Sequence, residues 1–307
     1  MNVIVTGGAG FIGSIVCDEL INEGYKPIVV DKTAMTTYDH HYRLDICDPG
    51  LKAVFIKHRP KYVIHLAAQV DVQQSIQDPL NDAQMNVMGL LNVLESCRLA
   101  GVEKIVFASS AAVYGAPKTE KMAEDHPIQP LSPYGVTKYT GELYLQTFAS
   151  LHGLPYTILR FANVYGVREP HDETGVVAAF MNQFLRGERP IIYGDGEQTR
   201  DFVYVRDVAR ASVLSLKKAE NTILNVSTAE PVKVNELYTY LAELLGIHVT
   251  PRYTNEKVGD IKQSVLANAL IQKTLNWTPA YDLRAGLHHM RLNYETQYDR
   301  RHLSGGA

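Results

Sequence analysis

Residues 7 to 13 limit the fold of this chain more than any other stretch. They read Gly7-Gly8-Ala9-Gly10-Phe11-Ile12-Gly13. A β-branched run, Asn2–Thr6, leads in, and an amphipathic stretch from Ile15 to Glu23 leads out. Glycines at 7, 10 and 13 leave backbone room at a strand-to-helix turn. The helix N-terminus there offers N–H groups and a positive dipole end to a pyrophosphate. An acid stands at the matching distance: Asp31 closes the strand Lys26–Val30. A carboxylate in that position accepts hydrogen bonds from an adenosine ribose and repels a 2′-phosphate. The pattern predicts a dinucleotide site that favours NAD over NADP. Lys32, the next residue, softens the discrimination.

The α/β alternation continues. Met35 to Tyr42 is polar and irregular, and Arg43–Ile46 reads as a short strand end. Asp45 there either reaches the adenine amino group or caps a helix before Pro49. Leu51–His58 reads as a helix. Tyr62–His65 reads as a strand followed by Leu66-Ala67-Ala68-Gln69, small residues that let a cofactor lie against the backbone. His65 reads as a satisfied core histidine. Met85 to Leu99 reads as one long helix, too apolar for a single buried face. It is central in the core or partly at a subunit interface, and Asn86 serves the cofactor side. Lys104–Ala108 is a further strand, running into Ser109-Ser110-Ala111-Ala112-Val113-Tyr114-Gly115. Strands joined by helical crossovers predict a parallel sheet covered on both faces. Ligands then sit beyond the C-terminal strand ends, where the glycine turn, Ala67 and Ser110 converge.

A second stretch brings chemistry to that convergence: Ser132-Pro133-Tyr134-Gly135-Val136-Thr137-Lys138. Pro133 suits a first helical position, and helical periodicity runs on to about Leu151. Tyr134 and Lys138 are four apart and share a face. A free phenol titrates near ~10 and is a poor base at neutral pH. An ammonium one turn away favours the phenolate and lowers that pKa. Such a pair takes a proton from a substrate hydroxyl and returns it. Ser110 is the third member, its hydroxyl bonding the same substrate oxygen; taken singly it reads as a loop cap.

Composition narrows the classes of function. The chain of 307 residues is 46% hydrophobic and 21% charged, with 30 basic and 33 acidic residues and a net charge of −3. That is an ordinary globular balance, with neither a nucleic-acid groove nor a membrane-surface patch. No apolar run reaches membrane-spanning length. Cys17, Cys47 and Cys97 are far apart and lack metal spacing, so no metal is expected and a reduced cytoplasm fits.

Four motifs, TGGAGFIG at 6–13, HLAAQ at 65–69, SSAAVYG at 109–115 and SPYGVTK at 132–138, together resemble the extended short-chain dehydrogenase/reductases that act on nucleotide sugars, the UDP-glucose 4-epimerase-like enzymes above all. The resemblance covers nearly the whole chain. It implies an α/β fold, a Rossmann-like doubly wound parallel sheet with a smaller α/β substrate-binding domain. The first domain is expected at 1–166 with a return segment at about 197–222. The second is expected, interleaved, at 167–196 and 223–307. The implied activity is NAD-dependent C4 epimerisation of a UDP-sugar through a 4-keto intermediate. Tyr134 is then the base, Ser110 its partner on the sugar hydroxyl, and Lys138 the holder of the nicotinamide ribose. Phe11, Ile12, Ile46, Leu66, Ala68, Ser109 and Phe161 join the cofactor side. Ala112 departs from the family, where a Thr or Ser often binds the sugar. Ala111-Ala112 also stand where dehydratases carry an Asp-Glu pair. A 4,6-dehydratase, a UDP-glucuronate decarboxylase or 4-epimerase, a reductase or a non-catalytic NAD-binding module is the alternative reading.

The second half carries the sugar-nucleotide side of the resemblance. Asn163 matches a diphosphate-binding asparagine, and Val176, Val177 and Ile191 fall on the substrate side with Tyr193 near the base. Thr199–Tyr204 reads as a strand, and Arg200 in it, whose planar fork suits a diphosphate, either binds it or pairs with Asp201 or Asp207. Lys257-Val258-Gly259-Asp260 matches a motif that normally starts with arginine, so Lys257 meets phosphate as a point charge and Asp260 accepts from a ribose hydroxyl. Ser264 stands where some relatives have a bulky tyrosine, leaving volume for an N-acetyl group. A last helix is read at Leu283–Tyr298, and the helices around 85–100 and 134–151 are expected to form a homodimer interface.

Overall fold

A computed structural model describes residues 1–33, 38–167, 175–256 and 261–292. The first half runs β1 (Asn2–Thr6), α1 (Phe11–Asn22), β2 (Lys26–Asp31), β3 (His41–Arg43), α2 (Leu51–His58) and β4 (Tyr62–His65). Then come α3 (Val72–Gln77), α4 (Pro79–Ala83), a π-helical turn (Gln84–Met88) and α5 (Gly89–Ala100). β5 (Lys104–Ser110), α6 (Pro133–His152) and β6 (Tyr156–Phe161) complete it. The second half runs β7 (Asn163–Tyr165), α7 (Val176–Leu185), β8 (Ile191–Tyr193), β9 (Thr199–Arg200), β10 (Phe202–Tyr204), α8 (Val205–Leu214) and β11 (Thr222–Val226). It ends with β12 (Val232–Lys233), α9 (Val234–Leu245), β13 (Arg252–Thr254), β14 (Gln263–Ser264) and α10 (Ala269–Leu275), followed by helical residues 283–292.

Seven strands form one sheet in the order β11-β6-β5-β4-β1-β2-β3, every neighbouring pair parallel. This is the doubly wound α/β sheet expected. Alternate residues explain why both faces are covered. Val3, Val5, Ile64, Val106 and Leu159 point into one core with α1 and α8. Ile4, Val63, Ile105, Phe107 and Ile158 point into the other, with α2, α5 and α6. The strand order reverses between β1 and β4, and the crevice beyond their C-terminal ends is where such sheets bind ligands.

A smaller lobe is built from α7, α9, the parallel pair β8–β13 and the three-stranded sheet β12-β9-β14, around Phe180, Met181, Leu237, Leu241 and Leu287. The chain returns to the large sheet through α8 and β11. A division at 222 and 223 runs through β11, which pairs with β6 from Thr222 to Val226. Ile271 and Leu275 of α10, with Trp277, also pack on the large-sheet core.

Three elements differ from the sequence reading. The helix expected at 85–99 is broken by the π-turn between α4 and α5. The strand expected to reach Ile46 ends at Arg43, because Asp45 Oδ1 accepts the Cys47 N–H at 2.8 Å and turns the chain. The strand expected from Thr199 to Tyr204 splits at Asp201, whose buried carboxylate accepts from Thr228 N (3.0 Å), Ala229 N (3.1 Å) and Leu266 N (3.3 Å).

Candidate active site

The glycine turn closes because no side chain stands in it. Gly7 has φ +72°, and a Cβ on it would lie 2.7 Å from Ala67 N. A Cβ on Gly13 would lie 2.0 Å from Gly7 O. The turn therefore packs α1 onto β1 and aims the helix N-terminus at the crevice. Asp31 ends β2 with its carboxylate already oriented: Oδ2 accepts Ala9 N at 3.0 Å and Oδ1 accepts Thr33 N at 2.9 Å.

A cleft of about 480 Å³ opens over these residues. Its lining includes Gly7, Gly10, Phe11, Ile12, Gly13, Asp31, Lys32, Asp45, Ile46, Leu66, Ala67 and Ala68 on one side, and Ser109, Ser110, Tyr134, Lys138 and Phe161 on the other. The size, the phosphate turn and the anchored acid fit a bound NAD: backbone room at the pyrophosphate, Asp31 for the adenosine ribose, small residues for the nicotinamide end.

Tyr134 enters the cleft from the first turn of α6. Pro133 starts that helix, and Ser132 caps it, its Oγ accepting Gly135 N at 3.2 Å. Gly135 lets the turn approach the β5 exit, since a Cβ there would lie 2.6 Å from Ala112 O. Tyr134 N donates to Ser75 Oγ of α3 at 3.2 Å. The phenol and the Ser110 side chain line the same cleft. Lys138, one turn on, donates from Nζ to Ala108 O at 2.9 Å, with Nζ 5.8 Å from the Tyr134 ring centre.

The electrostatics correct one expectation. Burial pushes the Tyr134 phenol up to about 12; the Ser110 side chain opposes this and the charge of Asp82 adds to it. Burial pushes Lys138 itself down to about 8, against the charges of Asp82 and Glu142. The protein without dinucleotide therefore holds a protonated phenol beside an ammonium that titrates close to neutrality.

His65 is 3% exposed, its Nδ1 lies 2.6 Å from Thr6 Oγ1, and its ring stacks on Phe107. It is a core histidine, as its neighbours in sequence suggested. Asn86 lies behind the cleft wall, outside the lining. Its Oδ1 accepts Gln69 N at 2.8 Å and its Nδ2 lies 3.0 Å from Gln69 O. Its hold on the ligand side is through the Leu66–Gln69 backbone.

The substrate-side candidates separate. Asn163, Val176 and Val177 line a second, smaller cavity of about 80 Å³ next to the cleft. Ile191, Tyr193 and Arg200 belong to β8 and β9 and line neither cavity. Arg200 donates from Nη1 to Thr199 O at 2.8 Å and is paired in register with Ser264. Lys257 and Asp260 lie outside the described residues. Among lining residues the sequence reading missed are Thr33, Leu44, Val70, Met85 and Val164. Only adjacency to Asp31, Asp45, Gln69, Asn86 and Asn163 could have pointed to them.

Comparison with known proteins follows the same geometry. The sequence profile of the NAD dependent epimerase/dehydratase family matches residues 3–227. A UDP-glucose 4-epimerase of Mycolicibacterium smegmatis is 36% identical over 301 residues, covering 94% of this chain and 96% of that protein. The crystal structure of UDP-glucose 4-epimerase from Thermotoga maritima, with UDP-glucose, superposes with a TM-score of 0.94 at 41% identity, over 97% of this chain and 100% of that one. UDP-N-acetylglucosamine 4-epimerase from Methanobrevibacter ruminantium M1, in complex with UDP-N-acetylmuramic acid, gives 0.90 at 33% identity, over 96% and 98%.

Proposed function

The chain belongs to the NAD dependent epimerase/dehydratase family, and from that premise we propose that it interconverts UDP-glucose and UDP-galactose at C4, with room for the N-acetylated pair. It is an NAD-dependent nucleotide-sugar 4-epimerase. The observation that carries our assignment of residues is the Tyr134 phenol, sharing one cleft with Ser110 and one helical turn from Lys138, at the wall that Asp31 and the glycine turn also line.

Ser110 and Tyr134 hold the sugar C4 hydroxyl between them. Tyr134 takes its proton and later returns it, and Lys138 supplies positive charge beside the phenol and a donor for the nicotinamide ribose. When bound, NAD accepts a hydride from C4 and gives it back on the opposite face of the 4-keto sugar, so no net redox change results. Asn163 and Arg200 grip the diphosphate, which keeps the oxidised sugar tethered while it turns. Val176 and Val177, on the second cavity, bear on the nucleotide; Ile191 and Tyr193 complete that side on the smaller lobe. Ser264, a small residue beside Arg200 in β14, supports acceptance of an N-acetyl group.

The protein works as a homodimer in this reading. Val136, Leu143 and Leu151 form an exposed stripe on α6, and Met88 and Leu99 extend it beside α5. All three cysteines are free thiols, which suits a reducing cytoplasm. Incubation with UDP-glucose, UDP-galactose and UDP-GlcNAc, followed by product analysis, tests the function. Interconversion of C4 epimers without accumulation of NADH is expected. Loss of water or carbon dioxide, or stoichiometric NADH, overturns it. Turnover of UDP-glucose with none of UDP-GlcNAc removes the N-acetyl extension alone.

A further inference from the structure

Behind the Tyr134 helix lies a carboxylate that the reaction as described does not use. Asp82 of α4 has no exposed surface. Its Oδ2 accepts from Thr137 Oγ1 at 2.7 Å, and its Oδ1 from Gln69 Nε2 at 2.9 Å and Asn86 Nδ2 at 3.1 Å. All three donors are neutral, and among the described residues Asp82 forms no ion pair. A buried carboxylate left negative among neutral donors is costly unless a cation lies near. Its donor Thr137 precedes Lys138 in α6, and the charge of Asp82 acts on that ammonium.

The local fold is shaped to make this arrangement. The π-turn at Gln84–Met88 widens the helix at Asn86, a distortion that recurs at functional sites. Asp82 and Asn86, four apart, share a face, and Asn86 grips both the Gln69 backbone and Thr137 Oγ1, the latter at 3.2 Å. One cluster thus joins the β4 exit, where the cofactor-side residues Leu66–Ala68 lie, to the catalytic helix.

We propose that Asp82 is a positioning residue for the epimerase reaction: its charge keeps Lys138 an ammonium, and its hydrogen bonds hold α6 against the β4 exit. The inference rests on the functional reading above. The other groups facing Lys138 supply less of that charge. Glu142, one turn further along α6, also favours the ammonium but to a smaller degree, being shared with Arg160 at 2.6 Å. His65 of β4 is held neutral by burial. Tyr134 is protonated, and β5 presents the Phe107 ring and the Ala108 carbonyl. Lys138 titrates close enough to neutrality for the loss of one facing charge to change its state.

The test is Asp82→Asn, which removes the charge and keeps the shape. An asparagine Oδ1 still accepts from Gln69 and Asn86, and Thr137 Oγ1 can turn to accept from the new amide while donating to Tyr134 O, 3.1 Å away. NAD-loaded protein carrying carbon-13 lysine is titrated by NMR, with the Lys138 resonance assigned by its loss in Lys138→Met. The expected result is a Lys138 midpoint lowered by about one pH unit in D82N, with the alkaline limb of kcat moving down equally. In Asp82→Glu both are expected to stay near the wild-type position. Asp82→Ser, also neutral, gives the same reading if D82N is poorly soluble. An unchanged Lys138 midpoint in the neutral variants overturns the inference, even if kcat falls uniformly at all pH values. Failure of the wild-type protein to epimerise any sugar would sink the functional reading and leave this titration result standing.

Discussion

Arg160 of β6 and Glu142 of α6 meet beneath the end of β5 in a two-point ion pair, Nε to Oε1 at 2.9 Å and Nη2 to Oε2 at 2.6 Å. Their side chains are 3% and 0% exposed. Ser109 Oγ adds a donor to Oε1 at 2.6 Å, and Arg160 Nη1 reaches Tyr114 Oη at 2.9 Å and Glu124 O at 3.1 Å. The pair thus fastens the helix that carries Tyr134 to the strand beside Ser110. Breaking it from one side leaves an uncompensated buried charge. Glu142→Ala and Arg160→Ala should each cost about 3–5 kcal/mol in denaturant unfolding. The double variant Glu142→Leu/Arg160→Leu should cost clearly less than the sum, because no lone charge remains.

Tyr134→Phe removes one oxygen from a buried ring and nothing from the cofactor side of the cleft. Turnover should fall below detection, while NAD affinity, read by calorimetric titration, should stay within a few-fold. Ser110→Ala keeps the phenol but loses its hydroxyl partner, and should lower kcat by roughly 10²-fold. Activity in Tyr134→Phe comparable to wild type would remove the proton-transfer role.

Asp31 sets the choice of dinucleotide through a carboxylate pinned at both oxygens by Ala9 N and Thr33 N. Wild-type protein should bind NAD in preference to NADP. Asp31→Asn keeps an acceptor for the ribose and deletes the repulsion of a 2′-phosphate, so the ratio of the two dissociation constants should narrow by about tenfold, roughly 1.4 kcal/mol. Lys32, on the cleft wall beside it, is available to the phosphate in that variant.

His65 makes stability fall in acid. Burial pushes it from 6.5 down to about 3, with the Lys138 charge adding to the effect. The fold favours its neutral form, so the contribution is complete above pH 6.5, the unfolded value. It is lost as the pH falls from there towards 3, up to roughly 5 kcal/mol in all. In urea unfolding across that window, His65→Gln should show a visibly flatter decline than wild type, whatever its own stability at neutral pH.

Much of this architecture can be read from residue order. Alternation of Val3, Ile4 and Val5 between two cores, the glycines at 7 and 13 and the acid at 31 each obey a local rule, and the sheet follows from them. The cleft lining around Gly7, Asp31, Ala67, Ser110, Tyr134 and Lys138 was legible for the same reason: each residue ends a strand, lies in the turn after one or sits in the first two turns of a helix. The Asp82 cluster was not legible. Its members come from three segments, and no residue between 84 and 88 announces the π-turn that lies in one of them. The protonation of Tyr134 was misread because helical spacing reports which groups are neighbours but not how dry they are. The boundary near residue 222 slipped because β11 looks like any short apolar run until its partner, β6, is known.

The position of β11 also bears on how the chain is made. Residues 1–161 leave the ribosome with β6 as the outermost strand, its free side bare until Thr222–Val226 arrive. Throughout the synthesis of residues 162–221 the nascent sheet offers an open edge of the kind that recruits foreign strands. A fragment cut before β11 keeps that edge permanently, and self-association rather than a soluble half-enzyme is its expected fate.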